Sequence, residues 1–308
     1  MTKLREKSEN IRYFILENVD KHTTDISMVV ADHFGLTRQA VNKHLQRLVA
    51  EKSLIVSGRT RNKTYQLASI VDWMQSYEIT PELAEDLVWR KDIQPALGNM
   101  PDNVLEIWNY GFTEMFNNVI DHSGGTTIVV EIKKTATNTE IFILDNGVGI
   151  FKKIQNSLHL LDERHALFEL SKGKLTTDPK RHSGEGIFFT SRMFDAYNII
   201  SGGVNFSHKF EQSEDWLSAI KHFAAGTIIW MKLANHTSRT SKNIFAHYTT
   251  GTDYGFNKTV VPVKLAQYGN ELLISRSQAK RLVARIELFK TVIFDFTDVA
   301  YIGQAFAD

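Results

Sequence analysis

The sequence predicts a multidomain chain: a mainly α N-terminal part, a central α+β domain and a partial α/β module at the C-terminal end. Three observations carry this expectation. The 308 residues, 43% hydrophobic and 23% charged, have the composition of a folded protein and suffice for two or three domains at roughly 100–200 residues each. The charge is unevenly spread, with 12 Lys and Arg against 7 Asp and Glu in residues 1–70 and 24 against 28 beyond. The hydrophobic pattern also changes along the chain, from helical spacing to strands set between glycine-rich turns, and then to strand–helix–strand.

Over residues 1–70, Ile11, Phe14, Ile15 and Val19 stand at helical spacing. Ile26, Val29, Val30 and Phe34 repeat it before Gly35 closes the segment. Thr37 is placed to cap a third helix striped by Val41, Leu45 and Leu48. Two short strands, Leu54 to Ser57 and Thr64 to Leu67, follow around a polar turn.

Ser69 to about Asp102 is expected to be helical and amphipathic, punctuated by Pro81, Pro95 and Pro101, and to lead into a longer helix ending at Ser123-Gly124-Gly125. Strands are expected at Thr127 to Lys133, Glu140 to Leu144, near Tyr197 to Ser201, and at Gly226 to Leu233. The Thr- and Ser-rich stretch 236–258 is expected to be a linker. Residues 259–308 read as strand, strand, helix and strand, too short for a comfortable core of their own. The expectation is a truncated third domain.

The absence of cysteine excludes disulfides, thiolate zinc sites, iron–sulfur clusters and cysteine nucleophiles. The opening MTKLREKSEN has no apolar signal region, and no apolar run approaches the ~18 residues of a membrane span. A cytoplasmic protein with no membrane partner is therefore expected.

Chemistry concentrates in four blocks. On the long helix, Trp108, Phe112, Met115, Phe116 and Val119 fall on one arc, whereas Glu114, Asn118 and His122 climb the other side. A carboxylate, an amide and an imidazole thus face a common space. Asp145 ends an apolar strand and is followed by Gly147 and Gly149, which let backbone approach a ligand closely. Gly184-Glu185-Gly186 opens another helix, where free N–H groups and the helix dipole favour phosphate. Gly226-Thr227 begins a late strand.

Those four blocks, in that order over residues 71–235, resemble the GHKL superfamily of ATP-binding domains, shared by type II topoisomerase subunits, mismatch-repair ATPases, histidine kinases and anti-sigma-factor kinases. The resemblance implies a Bergerat-type α+β sandwich that binds ATP and Mg²⁺. Asn118 would hold the Mg²⁺, Asp145 would accept from the adenine amino group, and Thr227 would support that contact. Gly147 and Gly149 would lie along the nucleotide, Gly184 and Gly186 along its phosphates, and His122 near phosphate. Glu114 would be the general base, as in hydrolytic members and anti-sigma kinases. Sensor histidine kinases usually lack that carboxylate, and no phosphoacceptor-His helix is recognisable before the domain. Residues 151–183 would form an ATP lid in which either Lys172 or Lys174 closes on the γ-phosphate; Lys180-Arg181-His182 is its other basic group. No G-x-x-x-x-G-K-[ST], G-x-G-x-x-G or H-E-x-x-H motif competes.

The N-terminal outline is similar to a winged helix-turn-helix. Thr37, Arg38 and Gln39 open its third helix, with Asn42 and Lys43 one turn on, where such helices read base edges. Arg59, Arg61 and Lys63 would grip phosphates from the wing. The C-terminal run Val292 to Ala305 resembles the STAS-like modules of anti-sigma-factor antagonists, with Gln304 near the usual phosphoacceptor, which argues against a phosphorylation switch. These resemblances imply a nucleotide-gated DNA-binding regulator with slow ATP hydrolysis. The expected partners are duplex DNA and a protein or a second copy of the chain. An anti-sigma-type Ser/Thr kinase, and a scaffold using the N-terminal part for protein docking, stand as alternatives.

Overall fold

The computed structural model describes residues 3–59, 62–160, 162–175, 184–210, 215–219, 225–249, 257–266 and 272–308. The chain is mixed α+β and divides into two compact units, Met1–Trp73 with Ile132–Glu140, and Met74–Glu131 with Ile141–Asp308.

The first unit contains α1 (Lys3–Asn18), α2 (Ile26–Phe34) and α3 (Arg38–Ala50), followed by an antiparallel hairpin of β1 (Leu54–Ser57) and β2 (Thr64–Leu67). The helix ends follow local chemistry. Gly35 ends α2 in the left-handed conformation, and the Thr37 hydroxyl accepts from the Ala40 N–H at 3.2 Å. The expected apolar stripes meet in one core of Ile11, Ile15, Val19, Ile26, Val30, Val41, Leu45, Leu48 and Leu54.

A strand, β3 (Val71–Glu78), comes next, contrary to the helix expected from Ser69. Val71, Trp73 and Tyr77 are the partly covered positions along it. That is a period-two pattern in β-favouring residues, and it prevails over the apparent helical spacing. Only short helical pieces precede the long helix: α4 (Glu85–Val88), a π-helical turn (Trp89–Ile93) and α5 (Gln94–Leu97).

The long helix α6 (Asp102–His122) buries Val104, Ile107, Trp108, Phe112, Met115, Phe116 and Val119. It is followed by β4 (Thr127–Lys134), β5 (Asn138–Asp145), α7 (Ile150–Ser157), α8 (Glu163–Lys172) and α9 (Gly186–Met193). Four strands then follow: β6 (Ala196–Ser201), β7 (Val204–Lys209), β8 (Asp215–Ala219) and β9 (Thr227–Ala234). The seven-stranded sheet has the order β3-β4-β5-β9-β6-β7-β8, with β6 antiparallel to both β7 and β9. Ile128, Val130, Ile141, Ile143, Ile229, Met231 and Leu233 alternate into its core. α6 is tied to this layer by Trp108 against the Phe194 ring at 4.7 Å and by the Tyr197 hydroxyl on Met115 Sδ.

Two boundaries differ from expectation. The stretch expected as a linker contains α10 (Ser241–Tyr248), capped by Thr240, with Phe245 and Tyr248 against Phe189 and Phe188. Aromatic burial outweighs its polar composition. The C-terminal segment comprises β10 (Lys258–Pro262), α11 (Arg276–Val283), β11 (Thr291–Asp295) and α12 (Gln304–Ala307), with 3₁₀ turns at Val263–Ala266 and Ile286–Leu288. β10 and β11 run parallel. This segment shares a core with α8, in which Phe168 joins Val261, Val263, Ala266, Leu273, Leu282 and Phe306. It is part of the second unit, because so short a piece lacks apolar surface to close a core alone.

Candidate functional site

Within the second unit, the four blocks come together around the polar side of α6. At its C-terminal end, the Ser123 carbonyl accepts from the Val148 N–H at 3.0 Å, and Gly147 lies so close to Ser123 that any Cβ would collide with it. Asn146 Oδ1 accepts from the Thr126 and Thr127 N–H groups at 2.8 and 3.1 Å. The loop after β5 is thereby fixed against the helix end.

Asp145 is half-buried at the base of this loop. Its Oδ1 accepts from the Gly147 N–H at 2.8 Å, and the Thr227 hydroxyl and N–H also bond to the carboxylate. The same hydroxyl accepts from the Ile150 N–H at 3.1 Å. Burial pushes the Asp145 carboxyl above its ordinary value, while the Gly147 and Thr227 bonds pull the other way. Gly226, with φ of 103°, lets β9 begin directly on the Asp145 backbone.

Two turns back on α6, the Glu114 carboxylate lies against Gly186, the first residue of α9. Glu114 and Ser123 are nine residues apart, about 13 Å along a helix, which is the reach of an extended small ligand. Asn118 stands between them, half-buried, its side chain without a hydrogen-bond partner among the described residues. The half-buried His122 presents its carbonyl to the Lys153 ammonium at 2.6 Å.

The glycines show a role that spacing alone did not suggest. Those at 147, 149, 186 and 226 face neighbouring protein, namely Ser123, Ser201 Oγ, Glu114 and Asp145 respectively. They let separate segments lie directly on one another, which builds the cluster.

The two candidate lysines part company. Lys172 is fully buried, and its ammonium donates at 2.8 Å to Glu169 Oε1 and to the carbonyls of Arg281 and Ala284. This corrects the expectation that Lys172 is free to close on a phosphate. Lys174 remains at the rim. It influences Glu185, whose carboxyl is raised by burial and lowered by the Lys174 charge, and its neighbour Leu175 donates to the Gly184 carbonyl at 3.1 Å. The basic group at 180–182 lies outside the described residues.

Three residues here escaped the sequence analysis. Tyr110, one turn before Glu114, has its phenol pushed up by burial and by the charges of Glu114 and Glu185, so it stays a neutral donor. Its i,i+4 spacing to Glu114 was the available signal. Glu185, between the two glycines, and Lys153, one turn after Gly149, carried none beyond proximity.

No group of three or more His, Asp or Glu side chains placed to hold a metal occurs among the described residues.

In the first unit, Arg38, Gln39, Asn42 and Lys43 are exposed along the start of α3, and Arg59 and Lys63 are exposed at the hairpin turn. Arg61 lies outside the described residues. Thr37 spends its hydroxyl on the helix cap.

No described helix is long and apolar enough to cross a membrane. No protein-family model matches the chain, and no curated protein matches it significantly.

Proposed function

We propose that the chain is an ATP- and Mg²⁺-binding regulator of the GHKL type, with slow hydrolysis, whose N-terminal unit binds duplex DNA as a winged helix. The observation that carries this reading is the polar knot of Asp145, Thr227 and the Gly147 N–H, built from segments some eighty residues apart in the chain. A desolvated carboxylate held by fixed donors suits recognition of the adenine amino group, because guanine presents a carbonyl there and would meet it acceptor to acceptor. Thr227 holds the carboxylate in place.

At the other end, Glu114 would take a proton from the attacking water, with the neutral Tyr110 phenol beside it. The N-terminus of α9 would supply N–H groups for phosphate oxygens beside Glu114. Glu114 and Glu185 oppose an anion at that helix end, so a cation is required, and Lys174 is at hand. Asn118 would hold Mg²⁺, which when bound would offset the charge of the phosphates. The C-terminal segment supports a STAS-like reading through its parallel β10–β11 pair flanking α11.

Calorimetry of the full chain against ATP and GTP, each with Mg²⁺, tests the central claim. Selective ATP binding supports it, and equal or absent binding refutes it. Incubation with γ-labelled ATP separates hydrolysis, seen as free phosphate, from transfer to a protein, which would favour the anti-sigma-type kinase.

A further inference from the structure

Among the described residues, Lys52, Lys174 and Arg285 adopt left-handed backbone outside the usual exceptions, and the last two face each other. Lys174 has φ of 52° and Arg285 φ of 60° with ψ of 14°. Such conformations are unfavourable for side chains of this kind and persist where the surroundings impose them, commonly near sites of function. Here the surroundings can be named. Arg285 Nη2 donates to the Lys174 carbonyl at 2.6 Å, and Arg285 Nη1 reaches Glu169 Oε2 at 3.4 Å. The Lys174 ammonium donates to the Leu288 carbonyl at 2.9 Å and lies 5.1 Å above the Phe289 ring. Beneath this contact, Lys172 pins the end of α8 to the last carbonyls of α11, and the Thr259 hydroxyl donates to the Lys172 carbonyl at 2.7 Å.

The C-terminal segment thus fixes both the backbone and the ammonium of Lys174, one residue before the chain lies against Gly184 at the mouth of α9. We infer that Arg285 and Leu288 are positioning residues for Lys174, so that the C-terminal segment sets how the site meets the phosphates of its nucleotide. The inference rests on the nucleotide reading above and adds to it a part for residues 258–308. An ammonium carries three donors, and an anionic phosphate oxygen is a stronger acceptor than a neutral carbonyl. A bound triphosphate therefore draws Lys174 from Leu288 while Arg285 keeps its backbone in place. Lys172, enclosed on all sides, stays as the anchor.

The test uses calorimetry on the full chain with two probes, ATP·Mg²⁺ and adenosine, which differ in the phosphates that Lys174 would serve. Arg285→Ala is expected to weaken ATP about tenfold, the scale of one charge-assisted hydrogen bond, and to leave adenosine unchanged. Lys174→Met should produce the same pattern, and adding Arg285→Ala to it should cost nothing more, since the two act through one contact. Arg285→Lys should recover part of the loss.

Equal weakening of ATP and adenosine would show a merely structural role and overturn the inference. So would unaltered ATP affinity in Arg285→Ala, or a full additional loss in the double variant. If Arg285→Ala does not fold, Arg285→Lys alone and in the Lys174→Met background gives the same decision. A wild-type chain that binds neither probe refutes the nucleotide reading and this inference with it, whereas binding of both with no Arg285 effect refutes the inference alone.

Discussion

Replacing Lys172 by Met nearly keeps the length of the side chain and removes its charge at a position 1% exposed. Three hydrogen bonds of 2.8 Å are lost, two of them to carbonyls at the end of α11. There the helix dipole is negative and few carbonyls have partners. Glu169, equally buried, would keep, among the described residues, Arg285 at 3.4 Å and His165 at 3.7 Å. Burial holds the His165 imidazole below its usual value, so it is a poor counter-charge near neutral pH. Breaking one side of a buried pair costs about 3–5 kcal/mol, which for a unit of this size is a fall in Tm of roughly 6–20 °C. Urea denaturation followed by circular dichroism measures it. Lys172→Met with Glu169→Leu should recover most of the loss, because the orphaned carboxylate is gone and Arg285 keeps its bond to the Lys174 carbonyl. A single variant within about 1 kcal/mol of wild type would refute the argument that Lys172 is a structural anchor. At temperatures where Lys172→Met is folded, its affinity for ATP should match wild type.

Asp145→Asn should weaken ATP by about 1–3 kcal/mol, read by calorimetry, with adenine selectivity falling too. Its raised folded pKa means that Asp145 contributes stability fully present below the unfolded value of 3.8 and lost as pH rises through the folded value. The substitution should therefore flatten the stability profile across that window. Glu114→Ala should lower phosphate release by roughly 10²–10⁴-fold while ATP still binds, and a variant with wild-type turnover removes Glu114 from the role of base. Binding of duplex DNA should fall with salt at a slope near −0.9 per neutralised phosphate. Replacing Arg59, Arg61 and Lys63 should flatten that slope on any sequence, whereas replacing Arg38 or Gln39 should cost about 1–3 kcal/mol on a preferred site and less elsewhere. Fluorescence anisotropy scores both; failure to bind any duplex at ~50 mM salt would favour protein docking by this unit.

Local signals served well wherever one residue decides a backbone event. Gly35 ends α2, Thr37 caps α3, and the apolar stripes of α1 to α3 and α6 are buried as their spacing implied. The elements that carry the four polar blocks were also legible, since a helix, a strand end, a helix start and a strand start stand where their glycines and carboxylates imply. Misreadings came where neighbours distant in the chain decide. β3 took the edge of a sheet whose other members lie fifty or more residues on. α10 formed in a polar stretch because Phe188 and Phe189 cover Phe245 and Tyr248.

The same division runs through the site. Sequence alone put Glu114, Asn118 and His122 on one helical face, Asp145 at a strand end, and Gly184 and Gly186 at a helix start. Those follow from periodicity and from the conformations that glycine permits. Only tertiary structure decided that Lys172 is enclosed by α11 while Lys174, two residues later, stands at the rim under the hold of Arg285. Two lysines with nearly the same sequence surroundings differ because burial and partner geometry are set by chain more than a hundred residues away, which local spacing does not encode.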